Sequence, residues 1–404
     1  MNILFLSQRV PEPPNKGDKI RSHHLMKRLA ARHRVHVACL LDDPAERNWA
    51  TQAGEWAASV TAHVRTRGES AWRGACAPLA GRPISVGYFH SQALARDVDR
   101  LIRTERLDVV LAYCSSMAPY AADFSGPKVL DFVDVDSEKW AQYAARASFP
   151  RNLVYRLEHG LLQRYERGLV QEFDRSILIS GEERDLLGAF ADVSRVDVVN
   201  NGVDIAFWKP RETPRREPVP TLVFVGALDY FANADGIEHF AREVFPAVRE
   251  GVANVRLRIV GRRPGAALRA LADLPGVDVV GEVDDVRPEL WEAAVAVIPL
   301  RIAQGVQNKV LEAMAAGTPV VSSDPALRGI EGEAGRHFLR ANTTDEWVSH
   351  VRTLTQDPAR AAQQAEHARR LVSERYSWDR KAEEYEAVLD RAIAVRREVA
   401  CETR

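Results

Sequence analysis

Residues 294–323 read AVAVIPLRIAQGVQNKVLEAMAAGTPVVSS, and this stretch holds one unit of a parallel sheet. An apolar run, AVAVIPL, leads into a glycine-broken loop, then a short helical segment, then a second apolar run, PVVSS. Short buried runs that alternate with helical sequence mark parallel strands covered by helices on both faces. With the helix taken as roughly 306–316, Val310, Leu311, Met314 and Ala315 form its buried stripe, and Lys309 and Glu312 share another side. Arg301 and Lys309 crowd the N-terminal end of that helix, where the dipole is positive and cations are unfavourable unless an anion joins them. A surface Lys–Glu pair worth about 0.3 kcal/mol is the plainer reading of the same residues.

The same alternation extends outward in both directions. NILFLS, VHVACLL, SVTAHV, LDVVLAY, KVLDFV, RSILIS and VDVVNN punctuate the first half, and TLVFVG, VRLRIVG and VDVVG precede the opening stretch. Between the two series lies IAFWKPRETPRREPVP, residues 205–220, whose four prolines among charges fit neither a helix nor a central strand. The expected architecture is therefore α/β, with a Rossmann-like domain over 1–204, a linker over 205–220 and a second doubly wound domain over 221–375. The segment 376–404 is expected as a last helix that packs back through Tyr376, Trp378, Tyr385 and Leu389. Ligands of such sheets bind outside the carboxyl ends of the strands, so a cleft between the two domains is the expected site.

Composition excludes several function classes. Lys and Arg total 55 against 56 Asp and Glu, which gives no overall field for nucleic acid. Cys39, Cys76, Cys114 and Cys401 show neither a disulfide framework nor ligand spacing, and they read as reduced thiols with no metal site. The chain opens directly on NILFLS and holds no apolar window near ~18 residues, so neither an export signal nor a membrane span is expected. The expected location is cytoplasmic, with association at the inner face of the cell membrane through two basic segments. Residues 139–167 hold six Lys or Arg against two Glu, interleaved with aromatics, and residues 16–34 hold seven against one Asp. Solvated helix faces over a core stripe are the plainer reading of each.

A bound diphosphate would supply the anion missing at Arg301 and Lys309, because helix N–H groups, Arg and Lys together make an anion site. Glu312, one turn on, could then accept from ribose hydroxyls. No GxxxxGK[ST] loop is present, and VGRRPG at 260–265 lacks dinucleotide spacing, so kinase and dehydrogenase readings lose support. In PEPPNKGDKIRSHH, Gly17 follows the first strand and permits close backbone approach to phosphate. LDFVDVDSEKW places Asp131, Asp134 and Asp136 at a strand end as candidate acids, bases or hydroxyl acceptors, while Asp136 with Ser137 could equally cap the next helix.

NNGVDIAFWKP, FVGALDY, LRIVG, VVGEVDDVRPELWEAAVAVIPL and LEAMAAGTPVV, in that order, resemble the nucleotide-sugar glycosyltransferases of family four, which have the two-domain GT-B fold. VDVDSEKW, GALDYFANADG and GVQNKVLEAMA are most similar to the branch found with PEP-CTERM/exosortase exopolysaccharide clusters. The resemblance implies a retaining, metal-independent sugar transfer from a nucleoside diphosphate donor to a glycan or polyprenyl-linked acceptor, with no cofactor. It places Glu312 on the ribose, GEVDD with Val283 at the base, and Gly17 near the diphosphate. Four positions depart from the family pattern. The first acid of its paired-glutamate motif falls on Gln304, its Gly-Arg becomes Gly226-Ala227, its following Lys is missing from DYFANAD, and its donor-contacting His becomes Tyr113. Arg301 and Lys309 are read as replacements for the two lost cations. The expected catalytic residues are Gln304 and Asp134, and the expected donor site is Arg301, Gly305, Asn308, Lys309, Glu312, Val283, Gly226, Gly17 and Tyr113. A nucleotide-sugar epimerase and a catalytically decayed nucleotide-sugar-binding scaffold are the alternatives on the same fold.

Overall fold

The computed structural model describes every residue except 13, 15, 16, 213–218, 304, 403 and 404, and only the backbone of 17, 18, 146 and 399–402. The chain divides into two compact units, one made of Met1–Asn200 with Lys381–Arg404 and the other of Asn201–Arg380.

The first unit is built on a seven-stranded parallel sheet: β1 Asn2–Ser7, β2 Arg34–Leu41, β3 Ser59–Val64, β4 Val109–Tyr113, β5 Lys128–Val133, β6 Arg175–Leu178 and β7 Val196–Val198. Their order is β3-β2-β1-β4-β5-β6-β7, with β1 central and Ile3 paired to Val35 on one side and Val109 on the other. β1 and β4 are buried almost throughout, as continuous apolar runs must be when helices cover both faces.

The second unit repeats the plan with β8 Thr221–Val225, β9 Arg256–Val260, β10 Val277–Gly281, β11 Val295–Ile298, β12 Val320–Ser322 and β13 Leu339–Arg340, in the order β10-β9-β8-β11-β12-β13. Five of these fall within the apolar runs of the sequence. β13 is a two-residue edge strand with no run to announce it. In each sheet the order reverses between two central strands, β1 and β4 in one and β8 and β11 in the other, and the loops that leave such a pair diverge to open a crevice at the carboxyl ends.

One stretch behaves differently from a plain reading of its composition. Ile205 and Trp208, within the proline-rich 205–220, pack against the core of the second unit, and the Trp291 indole donates to the Lys209 carbonyl at 3.1 Å. The last helix, Trp378–Glu402, is buried at Trp378, Tyr385 and Leu389, and Tyr376 just before it is buried too. From Lys381 onward it belongs to the first unit. There the Tyr385 hydroxyl donates to the Asp131 carboxylate, which also takes the Arg21 guanidinium at 3.0 Å, so a buried ion pair is closed by a residue from the far end of the chain.

Candidate functional site

In the second unit, the loops after β8 and β11 flank the reversal of strand order, and most of the expected donor residues lie on them or on the helices they lead into. β8 ends at Val225 and is followed by Gly226, Ala227 and the helix Phe231–His239. β11 is followed by Arg301, Gly305 and the helix Asn308–Ala315. Gly305 has φ 61, a left-handed conformation that glycine takes without strain, and it turns the loop before the helix begins. The helix is two residues shorter at its start than the sequence pattern implies. Its buried side is Val310, Leu311, Ala313, Met314 and Ala315, and its first turn contains no acid.

Lys309 is the second residue of that helix, and its side chain reaches across to the β8 side. Its ammonium donates to Asn233 Oδ1, lies 5.2 Å from the Phe224 ring centre, and would be 3.3 Å from a Cβ on Gly226. Only a glycine at 226 leaves this space open. Asn233 is itself buried and held from behind, its Nδ2 donating to the Ala227 carbonyl at 2.8 Å. Burial lowers the Lys309 ammonium to about 8, against the favourable charge of Glu312. Burial likewise pushes the Glu312 carboxyl up to about 7, with Lys309 opposing. Glu312 does not form the surface pair with Lys309; among the described residues it has no ion-pair or side-chain hydrogen-bond partner. The Asn308 Oδ1 is buried and also unpartnered among the described residues. The Lys309 ammonium is thus held by Asn233 and faces the charge of Glu312, while the Asn308 Oδ1 is left unpaired among the described residues, and leaving a buried polar atom unpaired costs about 1–3 kcal/mol.

Arg301 is more than half exposed and pairs with Asp235 at 3.4 Å. It also borders a cavity of about 300 Å³ whose wall includes His239, Ser323, Asn342 and Trp347. Asn233 and Asp235 both belong to the helix Phe231–His239, so a single helix holds both cations. DYFANAD departs from the family pattern by the lysine it lacks. The signal is in the oxygens it contains, those of Asn233 and Asp235, which partner the cations that follow β11. Val283 packs against the core after a left-handed turn at Gly281, φ 83, and the neighbouring loop is pinned where Asp285 takes the Arg287 guanidinium at 2.7 Å. Gln304 lies outside the described residues.

The remaining candidates sit in the first unit. Gly17 is the first residue of the helix Gly17–Arg32 that follows β1. Tyr113 ends β4 and is buried, its ring centre 6.1 Å from that of Phe5. Asp131 is a structural residue rather than a candidate acid, being wholly buried between Arg21 and Tyr385. Asp134 follows β5; the surrounding protein pushes its carboxyl up, Lys139 and Arg21 oppose this, and Asp131 adds to it. Asp136 does not cap the next helix, whose cap position is Val135 with no side-chain bond. Burial raises Asp136 to about 6 while Ser115 Oγ donates to it at 3.4 Å.

Two acids that sequence reasoning missed complete this cluster. Glu183 accepts from the Val135 N–H at 2.6 Å and is raised by burial to about 7, and Glu166 accepts from the Ser137 N–H at 3.0 Å and is raised by burial to about 8. They come from distant helices, so no local spacing could have shown them.

The fold is shared with solved structures at low identity. It superposes on sucrose-phosphate synthase from Thermosynechococcus elongatus with a TM-score of 0.67 at 16% identity, covering 98% of this chain and 100% of that one. It superposes on Anabaena HepE, solved in complex with UDP, with a TM-score of 0.65 at 16% identity, covering 96% and 100%. In sequence, residues 219–357 match the family described as glycosyl transferases group 1, and residues 20–207 match glycosyltransferase family 4. The two matches together take in most of both units, and the chain belongs to the group 1 glycosyltransferases with the GT-B fold. Curated relatives include D-inositol 3-phosphate glycosyltransferase of Rhodococcus opacus, 28% identical over 214 residues, covering 48% of this chain and 47% of that one. Another is MMP alpha-(1->4)-mannosyltransferase of Mycolicibacterium hassiacum, 29% identical over 236 residues, covering 55% and 54%. The chain thus spans about half the length of the curated relatives it matches.

Proposed function

We propose that the protein transfers a sugar, with retention, from a nucleoside diphosphate donor to a glycan or polyprenyl-linked acceptor in exopolysaccharide synthesis. The observation that carries this is Lys309, half-buried, its ammonium lowered to about 8 by burial and aimed by Asn233 into the space beside Gly226. An ammonium so placed is incomplete without an anion, and a diphosphate restores its charge while meeting the free N–H groups of the helix start. Glu312 then takes the ribose hydroxyls, and a carboxyl near 7 can donate as well as accept. As the anomeric C–O bond breaks, negative charge grows on the leaving diphosphate, where a fixed cation in a partly dry site stabilises it most. Arg301, partnered by Asp235 on the same helix, is the proposed second cation. Metal is assigned no role in this scheme.

UDP and UDP-glucose are the ligands of the HepE complexes, which makes uridine donors the first to try. The test is a thermal-shift panel of nucleoside diphosphates and their sugars. A donor at about a hundred times its Kd should stabilise the protein by about 2.7 kcal/mol, seen as a rise of a few degrees in Tm. A panel in which no member raises Tm would sink the transferase reading. Release of an altered donor in the absence of any acceptor would replace it with an epimerase.

A further inference from the structure

Two helices of the first unit, Asp136–Arg146 and Arg151–Glu172, pack against each other and carry apolar side chains that stay exposed among the described residues. Tyr143, Phe149, Leu153, Val154 and Leu157 are between 45% and 77% exposed. At 3.6 residues per turn, Leu153, Val154 and Leu157 share one sector of the second helix, and Arg151 and Arg156 fall on either side of it. From residue 139 to residue 157 the chain carries Lys139, Arg146, Arg151 and Arg156 and no acid at all. The whole chain has a net charge of −1, so this concentration of cations is local.

The pair is held rigidly. The Trp140 and Tyr155 rings, one from each helix, lie 5.2 Å apart, and Glu166 ties Ser137 across the pair. Buried Glu158 accepts from the backbone N–H groups of Ile84 and Ser85 at 2.6 and 2.9 Å, which fastens the second helix just behind its exposed face. Exposed apolar side chains flanked by arginines match the boundary of an anionic lipid layer, where the apolar groups enter the acyl edge and the guanidinium groups reach the headgroups. A stretch of chain that carries cations and no acid between Lys139 and Leu157 is the charge complement of such a surface.

We propose that this helical pair docks the protein on an anionic lipid surface through Phe149, Leu153, Val154 and Leu157, with Arg151 and Arg156 on the headgroups. The inference stands apart from the transferase reading, because vesicle binding is measured without donor or acceptor.

The experiment is co-sedimentation of the full chain with vesicles of phosphatidylcholine alone and of phosphatidylcholine mixed with phosphatidylglycerol. Binding should be strong only to the mixed vesicles and should weaken with added salt. Leu153→Ser combined with Leu157→Ser should abolish it. Arg151→Gln combined with Arg156→Gln should lower the partition coefficient roughly thirtyfold. Because these side chains are exposed, both variants should keep the parent thermal melt. Absence of binding to mixed vesicles, or binding unchanged in both variants, overturns the proposal. A dimer that the leucine variant converts to monomer, with no vesicle binding in either, overturns it as well and assigns the patch to a second copy of the chain.

Discussion

An ammonium lowered to about 8 loses its charge within easy experimental reach, and this gives the proposed donor site a pH signature at the scale of one residue. A diphosphate favours the protonated form of Lys309. Below about 8 the charge is already present, and above it each donor molecule must bring a proton with it. Donor affinity should therefore fall by about tenfold per pH unit as pH rises above about 8, and titration calorimetry across pH 7 to 9.5 should show it. The contribution of the same group to the unliganded fold has the opposite sign. Lys309 is lowered from its ordinary 10.5, so the unfolded chain holds the proton more tightly and stability gains as pH rises between about 8 and 10.5. Lys309→Ala should weaken donor binding by roughly ten- to a hundredfold, the worth of a hydrogen bond to a charged group, and should flatten the pH dependence in that window. A variant that keeps the slope would place the titrating group elsewhere.

At the scale of elements, the site depends on how closely β8 and β9 leave the sheet together. A Cβ on Gly261, just past β9, would lie 1.7 Å from the carbonyl oxygen of Gly226, just past β8. A methyl there must displace backbone that also walls the Lys309 ammonium. Gly261→Ala should cost more than about 2 kcal/mol in denaturant unfolding and weaken donor binding with it. Gly265, four residues further on, has nothing within 4 Å of its would-be Cβ, and Gly265→Ala should stay within about 1 kcal/mol. Equal midpoints for the two variants would remove the close approach from the account of the site.

At the scale of the whole molecule, the chain's far end completes the interior of its beginning. Arg21 and Asp131 are paired out of reach of solvent, and the Val133 N–H and the Tyr385 hydroxyl also donate to Asp131, with the Arg21 guanidinium carbon 5.4 Å from the Tyr385 ring centre. A buried charge pair is costly to leave incomplete. Tyr385→Phe should destabilise by about 1–3 kcal/mol. The loss should be read in hydrogen exchange as reduced protection of β5 and the helix Gly17–Arg32, with β8 and β11 unchanged. Loss of protection spread evenly over both units would contradict this assignment of the helix.

What the sequence by itself determined is what depends on neighbours along the chain. Apolar runs at strand length, helical spacing between them and proline among charges are local patterns, so the strands from NILFLS to PVVSS were legible, as were the helix stripe at Val310, Leu311 and Met314 and the shared side of Lys309 and Glu312. β13 was not legible, because two residues at a sheet edge carry no period. Tertiary structure alone decided where the polar groups end. Asn233 is 76 residues from the lysine it holds, and Asp131 is 254 from the tyrosine that completes it. Electrostatic and hydrogen-bond partners are chosen by distance through space and by the water that burial removes. So Arg301 and Lys309 could be seen in the sequence as cations around a helix start, and the single helix that pairs with both could not.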